Sequence, residues 1–156
     1  MKTKTRVYFS SHGAPTTSSE ERWVRTAAHR TLKLLPASTI NKLLKRPHIY
    51  PLYISFVSLA DIRRLNARYR KKNRPTDVLA FPRLKSATPS KSDIGDVVLC
   101  PSVAKVQAKR NGVSNREELQ RLTIHGVLHL FGYDHEKSSR EAKRMFRLQE
   151  QILATL

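Results

Sequence analysis

His125, His129 and His135 stand at H-x3-H-x5-H spacing in the segment HGVLHLFGYDH, and imidazole is the commonest metal-binding side chain. If the segment begins on a helix, His125 and His129 lie one turn apart on the same face, about 6 Å along the axis. Gly132 stands where such a helix would stop, because glycine accepts the left-handed conformation that ends a helix, and the turn can bring His135 back to the ion. Three protein ligands leave tetrahedral zinc one open position, which is the catalytic rather than the structural arrangement. Zinc, one ion per chain, is the default for three imidazoles, although nickel, copper and cobalt bind the same donors.

The same letters can be written H-x-x-x-H-x-x-G-x-x-H, the metzincin protease pattern with one substitution. Those proteases need Glu directly after the first His as general base, and this chain has Gly126 there, so peptidase chemistry lacks its base. His12, His29 and His48 stand alone and read as ordinary core or surface residues.

Thirty Lys and Arg against twelve Asp and Glu give a net charge of +18. So large an excess opposes compaction unless something anionic offsets it, which points to nucleic acid or an acidic membrane surface. No apolar run approaches the roughly 18 to 20 residues of a spanning helix, so membrane insertion is not expected. The start, Met1 to Arg6, has a basic flank with no apolar core after it and does not read as a secretory signal. Cys100 is the single cysteine, cannot form an internal disulfide and reads as a packed small hydrophobe, so the expected compartment is a reducing cytoplasm. Residues 61–74 contain Arg63, Arg64, Arg68, Arg70, Lys71, Lys72 and Arg74 against the single acid Asp61, a run that suits RNA phosphates or, alternatively, a solvated helix face. The five Phe, five Tyr and one Trp sit mostly at core-like positions, and no base-stacking platform is visible.

The elements that must position these residues make one α+β domain over residues 1–156, with a small mixed sheet of about four strands packed with about five helices and the metal site on a central helix. Strands are expected over Arg6–Ser10, Leu52–Val57 (bounded by Pro51), Asp77–Phe81 and Ile94–Cys100. A polar loop with Pro, Ser and Lys joins the last two and could meet substrate. A Ser18/Glu21 capping box opens a helix running to about Leu35, and a basic helical piece covers Ile40–Lys45 before Pro47. Ser58 caps a helix through Arg70, and Pro101 starts one that ends before Gly112. A Ser114/Glu117 capping box opens the histidine helix, whose apolar residues surround most of its circumference, so it should be buried. A last helix runs from about Ser138 to Leu153.

HGVLHLFGYDH resembles the signature of the YbeY family of bacterial rRNA maturation endoribonucleases. Three further stretches match in order: Leu65-Asn66 through Tyr69-Arg70, then Pro75 through Pro82, then Gly95 through Pro101, and the likeness covers roughly residues 50–154. One departure is Ala80, where the family usually has Ser.

The resemblance implies a zinc-dependent endoribonuclease acting on single-stranded RNA, in maturation of the 3′ end of 16S rRNA and in ribosome quality control. Its expected partners are rRNA and the pre-ribosomal small subunit, with ribosomal proteins or an assembly GTPase beside them. Arg70 falls where the family places a functionally needed arginine, and its planar guanidinium can grip two phosphate oxygens. Arg70 and His125 are the catalytic candidates. Asp77, Asp96 and Asp134 are candidates for supporting the site, each with hydrogen bonding of nearby backbone as the alternative reading. The mechanism expected is cleavage of a phosphodiester with zinc as Lewis acid on the phosphoryl oxygen, activating a water, or both. Two rivals are a non-catalytic ribosome assembly factor with a structural zinc, and a metalloprotease; the first accounts for both charge and metal, the second for the metal alone.

Overall fold

The computed structural model describes residues 4–44, 49–83 and 93–156. Four strands, β1 (Lys4–His12), β2 (Ile49–Val57), β3 (Val78–Pro82) and β4 (Gly95–Leu99), form one sheet in the order β1-β2-β4-β3. β1 with β2 and β2 with β4 are parallel, whereas β3 and β4 are antiparallel, so the sheet is mixed as expected.

Six helices surround it among the described residues, one more than expected: α1 (Ser18–Leu34), α2 (Ala37–Leu43), α3 (Leu59–Arg70), α4 (Pro101–Asn111), α5 (Asn115–Leu130) and α6 (Ser139–Leu153). The extra one is the doubtful basic piece, which starts three residues earlier than Ile40 because Pro36 accepts the first backbone bonds, from Thr39 and Ile40. Lys45 and Pro47 lie outside the described residues, as does the 84–92 loop considered as a substrate contact.

The first capping box is shifted by one residue. Thr17, not Ser18, accepts from the Glu20 amide at 3.1 Å while Glu20 Oε2 accepts from the Thr17 amide at 2.8 Å. Two overlapping S/T-x-x-E frames exist here, and the Thr17 frame also lets Glu20 accept from Asn115 Nδ2 at the start of α5. β2 begins earlier than Leu52 and runs through Pro51. That is tolerated because the ladder to β4 starts only at Leu52, so the missing N–H costs no central sheet bond.

Alternation along the strands sorts side chains onto two faces. Leu52, Ile54, Phe56, Val97 and Leu99 join the main core with residues of α1, α5 and α6. Leu79, Val98 and Val57 face the other way and make a smaller core with Ile62 and Leu65 of α3. Helix α5 is therefore buried at the centre of one layer, packed on α1, α4, α6, β3 and β4, while α3 covers the opposite face. Edge strand β3 lies between these layers, and the functional residues meet around it.

Candidate metal centre

Helix α5 is capped by Ser114, which accepts from the Glu117 amide at 3.1 Å, and its last turn carries His125 and His129. The two Nε2 atoms are 3.1 Å apart, close enough for one ion to reach both. The helix ends as expected at Gly132, whose φ of 85° is the left-handed turn, and the Gly132 amide bonds His129 O at 3.0 Å. The chain then doubles back and sets the His135 ring 5.1 and 5.2 Å from the rings of His125 and His129. One ligand atom from each of the three lies within 4.8 Å of the other two.

Two observations test whether this donor set fits a metal ion. His135 Nδ1 is buried with no hydrogen-bond partner among the described residues, the kind of orphan that an ion or an ordered water relieves. Burial also holds the His125 imidazole below its usual range and pushes that of His129 down to about 4, each lowered further by neighbouring imidazoles. All that is required of a ligating imidazole is a neutral ring, and burial supplies it at neutral pH. The three residues fit a transition metal bound by nitrogen.

Gly126 has a structural reason. A Cβ built there would lie 2.7 Å from Val97 Cγ1 and 3.3 Å from Val78 Cγ2, so the helix rests directly on the sheet at this residue. The position that carries the protease's Glu points here into a packed sheet, which removes the metalloprotease reading on steric as well as chemical grounds.

The histidines open into a cavity of about 900 Å³ running along β3, lined also by Tyr69, Arg70, Asp77, Asp134, Glu136 and Phe146. Arg70, the last residue of α3, reaches this cavity from the other layer and donates to Glu136 Oε1 at 2.7 Å. That bond holds the Glu136 carboxyl below its usual range. The rest of the basic run divides. Arg63, Arg64 and Arg68 line a separate groove on the outer side of α3, with Arg63 bonded to Asn73 and Arg64 to Asp61. Lys71, Lys72 and Arg74 are exposed and outside the cavity lining.

The three acids also separate. Asp77 lines the cavity, but Oδ1 accepts from the Val78 amide at 2.8 Å and Oδ2 from Gln107 Nε2 at 3.0 Å, so it pins the start of β3 to α4. Asp134 Oδ1 accepts from the Glu136 amide at 2.9 Å and shapes the turn that presents His135. Asp96 is absent from the lining and pairs with Arg83, a correction to its placement beside the metal, because it alternates on β4 with Val97 and Leu99, which face α5, and so points to the other face of the sheet.

Gln149 and Phe146 were missed. Gln149, 5% exposed, holds His125 from α6. Its signal was a polar residue in the row Met145, Gln149, Ile152 that is otherwise apolar at helical spacing. Phe146 had no such signal, because an aromatic residue on an amphipathic helix reads as core.

A family model described as Endoribonuclease YbeY matches residues 16–156. The chain is 42% identical over 120 residues to a protein of Persephonella marina named Endoribonuclease YbeY, covering 75% of this chain and 78% of that one. A protein of the same name from Sulfurihydrogenibium is 42% identical over 118 residues, covering 74% and 77%. Among solved structures, a solution structure of a Thermotoga maritima protein aligns over 96% of this chain and 86% of that one, with a TM-score of 0.56 and 26% identity.

Proposed function

The chain belongs to the endoribonuclease YbeY family, and from that membership we propose that it is a zinc-dependent endoribonuclease cutting single-stranded RNA. One observation carries the proposal: Arg70 and the three histidines, 55 or more residues apart in sequence, line the same cavity. A metal cluster alone would suit many hydrolases. A guanidinium beside it selects an anion that offers two oxygens to its fork of N–H donors, such as a phosphodiester.

His125, His129 and His135 would hold the ion, and three imidazoles favour zinc among the available metals. When bound, zinc supplies Lewis acidity toward a phosphoryl oxygen and toward a water. The chain's own part is positioning and charge. Arg70 exchanges the Glu136 carboxylate for the scissile phosphate and donates to the oxygens on which negative charge grows, an interaction stronger in the transition state than in the ground state. Val78, Leu122 and Leu130 contribute apolar surface to the lining, which strengthens that interaction. Asp77 and Asp134 are occupied by backbone and amide hydrogen bonds and serve as scaffolding rather than as proton carriers.

The substrate we propose is precursor rRNA of the small subunit near the 16S 3′ end, in ribosome maturation and quality control. The +18 charge supports a large polyanionic partner. Residues Arg63, Arg64, Arg68, Lys71, Lys72 and Arg74, outside the cavity, would meet more distant phosphates, and ribosomal proteins or an assembly GTPase would supply the selectivity that backbone charge lacks. Among the described residues no helix is long and apolar enough to cross a membrane, and a cytoplasmic site of action follows from the substrate.

The test is cleavage of a labelled single strand by purified protein, before and after chelation and zinc repletion, with Arg70→Ala as control. Loss on chelation, recovery with zinc and weak cleavage by the variant are expected. Salt-sensitive RNA binding by a fully zinc-loaded protein that never cleaves would instead favour a non-catalytic assembly factor.

A further inference from the structure

Among the described residues two exposed aromatic rings border the metal cavity, Tyr69 and Phe146. Phe146 is 42% exposed although it lies next to buried Met145 on α6. Its centroid lies 5.5 Å from the His135 ring and 6.3 Å from the His125 ring, the latter at an interplanar angle of 24°. Tyr69 is 55% exposed, but the Arg68 guanidinium lies over its ring at 5.5 Å and Phe81 stands against it edge-on at 5.0 Å, so one of its faces already carries a cation. Leaving a Phe ring this open on a helix costs hydrophobic burial, and here the exposed surface is the one that borders the catalytic cavity.

We propose that Phe146 is the stacking platform for the unpaired nucleobase adjacent to the phosphate held between Arg70 and the histidines. This rests on the RNA-cleaving reading above and adds a base subsite to it. The reasons are geometric. A ring within about one ring-stacking contact of two metal-binding imidazoles lies about one nucleotide from the reacting phosphate, and a base enters that space only if it is unpaired and can be splayed out. Stacking on an aromatic face is tolerant of base identity, so the subsite would select single-stranded over duplex RNA without reading a sequence.

The test separates stacking from mere shielding of the histidines. Phe146→Leu keeps an apolar wall and removes the π-face, whereas Phe146→Trp keeps both. Zinc-loaded wild type and variants would be titrated into a 2′-O-methyl single strand carrying 2-aminopurine at successive positions, reading anisotropy and fluorescence, with zinc content measured in parallel. Expected are quenching at one position by wild type and Phe146→Trp, loss of that quenching in Phe146→Leu, and about tenfold weaker binding by Phe146→Leu at unchanged zinc content. An abasic residue at the quenched position should weaken wild type by the same factor and leave Phe146→Leu unaffected, because removing both partners of one contact is not additive. Equal binding and quenching by Phe146→Leu, or loss of zinc in proportion to loss of binding, would overturn the subsite while leaving metal-dependent cleavage intact. No binding of any strand by any variant would instead overturn the RNA reading itself.

Discussion

His125 Nδ1–H donates to Gln149 Oε1 across 2.9 Å, and that bond decides which nitrogen of His125 is left to bind a metal ion. Gln149 Nε2 is turned away to donate to Glu150 Oε1 at 3.2 Å, which leaves the carbonyl oxygen for the imidazole. With the proton kept on Nδ1, Nε2 is the nitrogen left with a lone pair, and it lies 3.1 Å from Nε2 of His129. Gln149→Leu is expected to weaken zinc binding by about 10- to 100-fold with the helical circular dichroism unchanged. Gln149→Glu, which still accepts from Nδ1, should bind zinc within a few fold of wild type. Competition with a chromophoric chelator measures both, and equal affinity in the Leu variant would show the bond to be incidental.

Arg70 is paired with Glu136 at 2.7 Å, and under the proposed function an RNA phosphate would have to replace that carboxylate. Arg70→Ala should lower single-turnover cleavage by roughly 10²- to 10³-fold, and Arg70→Lys should recover only part, since a point charge cannot grip two oxygens in one plane. Glu136→Gln frees the guanidinium. Both partners are substantially exposed, so the gain is small: RNA binding at low salt should tighten by no more than about fivefold. Weaker binding by Glu136→Gln would mean that the carboxylate orients Arg70 rather than competing for it.

Gly126 is where α5 touches the sheet. Gly126→Ala gains helix propensity of about 1 kcal/mol but forces Val97 aside, at an overpacking cost of about 1 to 3 kcal/mol, so a net loss of about 1 kcal/mol is expected. The double variant Gly126→Ala/Val97→Ala should be less destabilised than the sum of the two single changes in denaturant unfolding. Full additivity would show that the helix already has room there.

Acid should destabilise the metal-free protein through its histidines. His129 has a folded pKa of about 4 against an ordinary 6.5, with burial the leading cause, and His125 is shifted in the same direction. Between those values the unfolded chain binds protons that the folded chain refuses, so this contribution is fully present above about pH 6.5 and is lost as pH falls toward 4. Denaturant midpoints of the metal-free protein should therefore drop from about pH 7 to about pH 5, and His129→Gln should flatten part of that slope. A midpoint that stays level in wild type would contradict the burial of these rings.

Local chemistry made much of this molecule legible before any coordinates. The three histidines, the Gly132 stop, the Ser58 and Ser114 caps and the Pro101 start all act within a few residues of themselves, so spacing alone carries their meaning. The family motifs added Arg70 by likeness, without saying how it could reach the metal.

What only the tertiary structure decided are the meetings between distant segments. Arg70 arrives from a helix on the opposite face of the sheet, rounding the edge strand β3. Gln149 reaches His125 because α6 packs on α5, and Phe146 is left 42% exposed among the described residues. Asp96 looked equivalent to Asp77 in its motif, yet strand register turned it to Arg83. Periodicity in a sequence tells which face of an element is apolar, but it does not tell which other element that face will meet. That is settled by packing the whole sheet and its two helical layers at once.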